Sequence, residues 1–185
     1  MINEFLADAE ARMKKSVESL RDELVTLRTG RASPALVEHL LVNYYDTPTP
    51  LIQIAGISVP EPRLLVIQPW DMNSLKDIER AILASDLGLT PSSDGRVIRL
   101  AIPYLTEERR RDLVKKVHQR VEECKVALRN IRRDVIADME EAKKEKMISE
   151  DDLFRGKDKL QEVTEKYYEL AGEVGQVKEK EIMEV

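Results

Sequence analysis

The sequence predicts an α+β protein of two domains, an antiparallel three-helix bundle with a β/α/β domain inserted between its first and second helices. Two observations carry this reading. Apolar residues recur in steps of three and four at both ends of the chain, and all 8 prolines fall between residues 31 and 104. A composition of 35% charged and 4% aromatic residues with 7 glycines agrees with long solvated helices rather than an all-β sandwich. At 185 residues and 42% hydrophobic content the chain suffices for one or two modest cores.

The first helix follows Leu6, Ala9, Met13, Val17, Leu20, Leu24 and Leu27. It should stop at Gly30, a natural residue for the left-handed end of a helix, and Pro34 bars its continuation. A second helix is predicted over 107–146, on a seam running through Val114, Val117, Val121, Cys124, Leu128, Ile131, Val135, Met139 and Ala142. A third begins at "ISEDDL", where Ser149 and Asp152 form a capping box. Its seam is read through Leu160, Val163, Tyr167, Leu170, Val174 and Val177.

The bundle is assigned to residues 1–29 plus 106–185 and the inserted domain to residues 31–104, with hinges near 30–31 and 103–105. Within the insert, "EHLLVNYY", "RLLVIQPW" and "GRVIRLAIP" read as strands, and "SLKDIERAILASDLG" reads as a short helix ending at Gly88. "TPTP" and "VPEP" are expected as turn and edge punctuation, and Trp70 as core or hinge packing.

Several function classes find no support. No apolar run approaches the roughly 20 residues that span a bilayer, and the start "MINEFLADAEARMKK" has acids where a signal peptide is basic, so the chain reads as soluble and cytoplasmic. Cys124 is alone, sits on a helix seam and is expected to be buried. His39 and His118 lie in different modules and neither has a histidine or cysteine at i+4, so neither a metal nor a cofactor is expected. The GxxxxGK[ST], GxGxxG and GxSxG patterns do not occur, and no catalytic residues or small-molecule substrate can be assigned.

Charge supplies the positive signal. The net charge is −5, yet residues 105–136 hold 10 basic and 6 acidic groups, against 11 and 14 before them and 9 and 15 after. Such a partition suits a surface that meets a polyanion on one side. Lys125, Arg129, Arg132 and Arg133 stand in a stretch, 124–133, without one acid, and Arg120, Lys116, Lys115, Arg111, Arg110 and Arg109 are read as extending it upstream. The planar fork of arginine matches phosphate geometry, and the scarcity of aromatics argues for backbone contact with structured RNA rather than base stacking. The competing reading is a structural adaptor that binds other helical proteins, its arginines neutralised by acids of a neighbouring helix.

The segments "LRTGRASPALVE", "YYDTPTPLIQIA", "SVPEPRLLVIQPWD", "SDLGLTPSSDGRVIRLAIPYLTEERR" and "VALRNIRRD", in this order, closely resemble the bacterial ribosome recycling factor family over essentially the full chain. The resemblance implies a near L-shaped molecule with the bundle as its long arm. It further implies binding to large-subunit ribosomal RNA between the subunits of a post-termination ribosome. There the factor acts with elongation factor G, and with GTP hydrolysis by that partner, to part the subunits and release mRNA and tRNA. The factor would be a cytoplasmic monomer with no cofactor. The family's basic surface falls on Arg28, Arg31, Arg129 and Arg132, and its hinge on Gly30, Arg31, Pro103, Tyr104 and Leu105. Two positions depart from the family pattern: Asp46 stands where glycine is usual, and Tyr104 where a second proline is usual. The first puts Asp where a left-handed backbone is expected, and the second removes a fixed φ and is expected to loosen the hinge.

Overall fold

The structure, a computed structural model, describes residues 1–184. In chain order its elements are helix α1 (Ile2–Val25), strands β1 (Leu41–Tyr44), β2 (Thr47–Pro50), β3 (Ala55–Glu61) and β4 (Leu64–Pro69), helix α2 (Leu75–Ala84), strands β5 (Pro91–Ser93) and β6 (Ile98–Ala101), and helices α3 (Glu107–Lys144) and α4 (Glu150–Met183). They form two compact units, Met1–Leu27 with Glu107–Glu184, and Arg28–Thr106.

The first unit is a three-helix bundle. Ala9, Met13, Val17, Leu20 and Leu24 of α1 meet Leu113, Val117, Cys124, Leu128, Ile131, Val135 and Met139 of α3, all buried. Helix α1 ends at Val25, before Gly30; Leu24 is the last buried residue of the helix and Val25 is exposed. The Thr26 hydroxyl donates to the Glu23 carbonyl at 2.7 Å, closing the last turn. At the other end of the bundle Lys146 takes a left-handed φ of 61°. The predicted capping box then starts α4, with the Asp152 N–H donating to Ser149 Oγ at 3.0 Å and the Ser149 N–H to Asp152 Oδ2 at 3.1 Å.

The seam of α4 differs from the apolar reading. Val177 is 61% exposed, and the buried positions are Leu153, Gly156, Leu160, Thr164, Tyr167, Ala171, Gly175 and Ile182. Small residues win because α4 approaches its neighbours closely. A Cβ on Gly175 would lie 2.6 Å from Val121 Cγ2, and one on Gly156 would lie 3.0 Å from Ile2 Cδ1 and 3.2 Å from Met139 Sδ. The two glycines also fix the antiparallel register of α4 on α3, with 156 opposite 139 and 175 opposite 121.

The second unit holds an antiparallel β1–β2 ribbon and a four-stranded antiparallel sheet of order β3-β4-β6-β5. Its core gathers Val37, Val42, Leu51, Leu65, Ile67, Ile78, Ile82, Ile98 and Leu100. "TPTP" is strand β2, an edge where the missing proline N–H groups break no second ladder, and "VPEP" coincides with a register shift between Ser58 and Glu61. Trp70 is not core packing. Leu65, Ile67 and Pro69 of β4 point inward, so alternation turns Trp70 out, and it is 70% exposed. At the β1–β2 turn Tyr45 (φ 48°) and Asp46 (φ 63°) are both left-handed. Two positive φ values suit the twist of a tight hairpin. The Tyr45 hydroxyl donates a short hydrogen bond to the Asp71 carboxylate, which fastens this tip and raises the Tyr45 pKa.

Both chain segments that enter and leave the second unit are held by one turn. The Ala32 N–H donates to the Pro62 carbonyl at 2.7 Å, and the Ile102 N–H to the Arg63 carbonyl at 2.8 Å. The Arg63 guanidinium lies 2.9 Å from the Tyr104 ring centroid. Gly30, at φ 78°, supplies a backbone conformation that side-chain-bearing residues rarely adopt.

Candidate RNA-binding surface

Helix α3 carries the basic cluster because its 38 residues alternate a buried seam with charged flanks, Glu107 and Glu108 opening it and Lys143 and Lys144 closing it in agreement with the helix dipole. Arg129 follows buried Leu128, and Arg132 follows buried Ile131, so both stand at the edge of the seam. Arg133 lies one position further round and is exposed. Lys125, one turn before Arg129, is partly buried and forms no ion pair among the described residues.

Arg132 is partly buried, its Nε–H is covered and finds no acceptor, and no carboxylate pairs with it among the described residues. A covered donor without a partner is destabilising in the isolated protein and calls for a reason. On α4, which lies opposite at 163–164 by the register above, the Gln161 Oε1 is likewise covered and without a donor. Arg129 differs. Its Nη2 lies 3.3 Å from Glu122 Oε1, two turns upstream on the same helix. The Glu122 carboxylate foremost, with Tyr168, raises the Arg129 pKa. The pair is open to solvent, with side chains 50% and 62% exposed.

Two further acids of α3 near the cluster are engaged elsewhere. Asp134 pairs with Arg12 of α1 at 3.3 Å, and Glu140 with Lys157 of α4 at 2.9 Å. The upstream extension does not continue as one stripe. Arg120 turns to the α1 side, where it meets Glu23 at 3.7 Å and Glu123 at 3.2 Å, and Arg111 is tied to Glu107 at 2.7 Å. Arg110, about five turns before Arg129, is partly buried. The structure thus gathers Lys125, Arg129, Arg132 and Arg133 on one helix flank, whereas Arg28 and Arg31 belong to the second unit. Arg28 donates to the Asp86 carbonyl at 3.4 Å, and Arg31 is exposed. Of the residues expected at the hinge, Pro103 and Tyr104 are exposed and Leu105 partly buried. Sequence reading missed Glu122, Tyr168 and Gln161. A two-turn spacing from Arg129 marks Glu122, while the other two need the register of α4.

His118 meets Glu179 at 3.1 Å, and among the described residues no group of three or more His, Cys, Asp or Glu is placed to hold a metal ion. Cys124 is buried, its thiol directed at the Ser16 carbonyl at 3.7 Å, and burial raises its pKa. Among the described residues no helix is long and apolar enough to cross a membrane.

Fold and surface together define a class: a two-unit α+β protein that presents guanidinium groups along one helix of a three-helix bundle. The profile of the family described as ribosome recycling factor matches residues 20–183. The chain belongs to the ribosome recycling factor family. It is 58% identical to the ribosome-recycling factor of Thermomicrobium roseum and 57% identical to that of Roseiflexus castenholzii, in each case over all 185 residues and the whole of both chains. A solution structure of the ribosome recycling factor superposes with a TM-score of 0.80 at 44% identity, covering 100% of this chain and 98% of that one. A second similar structure (TM-score 0.66, 46% identity, 99% of each chain) comes from models for the T. thermophilus ribosome recycling factor and the E. coli elongation factor G bound to the E. coli post-termination complex.

Proposed function

We propose that this chain works as a ribosome recycling factor: it binds the post-termination ribosome and, with elongation factor G and GTP hydrolysis by that partner, promotes dissociation into subunits and release of mRNA and tRNA. It acts in the cytoplasm as a monomer, without cofactor and without chemistry of its own. Lys125, Arg129, Arg132 and Arg133 of α3 contact phosphates of large-subunit ribosomal RNA, and Arg28, Arg31 and Arg110 contribute further positive charge to that contact. The single observation that carries the contact is the flank of α3 on which Arg132 and Arg133 have no carboxylate partner among the described residues. A phosphate oxygen that reaches the open edge of such a guanidinium forms the charge-assisted bond that arginine makes well.

The mechanical part of the proposal assigns bundle and insert to separate domains, 1–29 plus 106–185 and 31–104, joined by hinges at Gly30–Arg31 and Pro103–Leu105. Two connections permit bending and restrict free tumbling. The bundle is suited to pass on a push because its seams are continuous, and α3 alone is roughly 57 Å long at 1.5 Å per residue. Motion is then concentrated at the hinges. The test is a sucrose-gradient assay of post-termination ribosomes with elongation factor G and GTP. The chain should convert 70S particles to subunits. A disulfide that locks the two domains together should leave binding intact and abolish splitting, and full splitting by the locked form would remove the hinge from the mechanism.

A further inference from the structure

We infer that Arg63 is a positioning residue of the hinge: its guanidinium, seated on the Tyr104 ring, makes Pro103 and Tyr104 move with the inserted domain and confines bending of this connection to Leu105. The inference rests on the hinge reading above and narrows the segment 103–105 to its last residue. All the contacts it uses lie within Arg28–Thr106.

The observations converge on the turn between β3 and β4. The Pro62 carbonyl accepts from the Ala32 N–H at 2.7 Å and the Arg63 carbonyl from the Ile102 N–H at 2.8 Å, so one two-residue turn ties both connections to the sheet. Ile102 is also buried. Beyond that bond the Arg63 side chain reaches the Tyr104 ring, 2.9 Å from its centroid. Tyr104 is 69% exposed, so the guanidinium rather than core packing restrains it. From Ile102 onward the restraints follow without a gap: a backbone hydrogen bond at 102, a ring-locked φ at Pro103 and a stacked ring at 104. Leu105 is the first residue past them, and α3 begins at Glu107.

The length of free chain decides how much of a push on the insert reaches the bundle. With one flexible residue a displacement of the insert is passed to α3. With three, connector torsions absorb part of it, because each released residue regains backbone freedom. A cation–π contact at an exposed site shifts such an equilibrium roughly two- to five-fold, which sets the size of the effect.

The test joins backbone ¹⁵N relaxation to stopped-flow splitting of post-termination ribosomes with elongation factor G and GTP. Arg63→Gln removes the cation and leaves both turn carbonyls in place. Tyr104→Ala, at an exposed position, repeats the test without touching the turn. In wild type the Tyr104 amide should be as ordered as the strands, with an order parameter of about 0.85, and in Arg63→Gln it should fall below about 0.6 while Ala32 and Ile102 stay rigid. Splitting at saturating factor should slow roughly two- to five-fold in both variants, with the half-saturating concentration unchanged. The conservative Tyr104→Phe should keep the wild-type rate, and Tyr104→Pro should restore it to Arg63→Gln by fixing φ covalently. A Tyr104 amide already mobile in wild type, or equally ordered without the cation, overturns the inference. So does an unchanged splitting rate in Arg63→Gln, or a slowed one that Tyr104→Pro fails to restore, which would show Arg63 acting other than through this connection. Absence of splitting by wild type is a different result and removes the recycling reading itself.

Discussion

Arg12 of α1 holds Asp134 of α3 at 3.3 Å, and this pair explains why the basic flank stays basic. Asp134 is adjacent in sequence to Arg133, yet its carboxylate pairs with α1, and Arg132 and Arg133 are left without an ion-pair partner among the described residues. Replacing Arg12 by alanine frees that acid. Large-subunit binding should weaken roughly two- to five-fold at low salt and hardly at all near 1 M, where the screening length is about 3 Å. Thermal stability should barely move, because exposed pairs contribute little. Filter-binding and a melting curve on the same variant check both halves.

The glycines of α4 predict opposite signs for one chemical change. A methyl at Gly175 would fall 2.6 Å from Val121 Cγ2, on a stiff β-branched side chain, whereas nothing lies within 4 Å of a methyl at Gly172. Gly175→Ala should destabilise by about 1–3 kcal/mol through overpacking. Gly172→Ala should stabilise by up to about 1 kcal/mol through helix propensity. Urea denaturation distinguishes them, and equal shifts would contradict the close approach of α3 and α4.

These glycines also show where sequence reading stops. The seam of α1 and most of that of α3 are legible because large apolar residues mark them, although α3 buries Leu113 where Val114 is read and leaves Val121 partly exposed, and the Ser149–Asp152 cap is legible because both partners lie three residues apart. The α4 seam was misread at Val177 because a helix that packs closely buries glycine and alanine, which carry little apolar signal. Trp70 was misassigned for a related reason: size suggested burial, but its strand register turned it outward. In the candidate site the arginines were visible as an acid-free stretch. The partition of their neighbours, Arg120 toward Glu23 and Arg129 toward Glu122, depended on which flank faces which helix.

Tyr104 was expected to loosen its connection, yet it receives the Arg63 guanidinium at 2.9 Å. Stacking of this kind replaces some of the restraint a proline would give. Arg63→Ala should therefore raise amide exchange at Leu105 and Thr106 several-fold while the core strands stay protected. Equal protection in both proteins would show that the stacking does not restrain this segment.

Asp94 in the β5–β6 turn should contribute to the acid limb of stability. Asp94 accepts from the Val97 N–H at 3.0 Å, the Arg96 N–H at 2.9 Å and Arg99 Nη1 at 2.9 Å, and these bonds, that from Val97 foremost, hold its pKa well below the usual 3.8. A depressed folded-state pKa means the contribution is complete above 3.8 and is lost as pH falls from there toward the folded value. Asp94→Asn should flatten the acid limb of the stability curve below pH 4 without altering the neutral plateau's dependence on pH. An unchanged acid limb would show that other carboxylates set it.

Arg132→Ala offers the most direct test of the central claim, that a guanidinium is left without an internal carboxylate so that it can meet an RNA phosphate. Its affinity for large ribosomal subunits should be measured against salt beside its melting temperature. The account predicts weaker binding, a salt slope shallower by roughly 0.7–0.9, and a melting temperature equal to or above that of wild type. Unchanged affinity and slope with a lowered melting temperature would contradict it and make Arg132 a structural residue of the bundle.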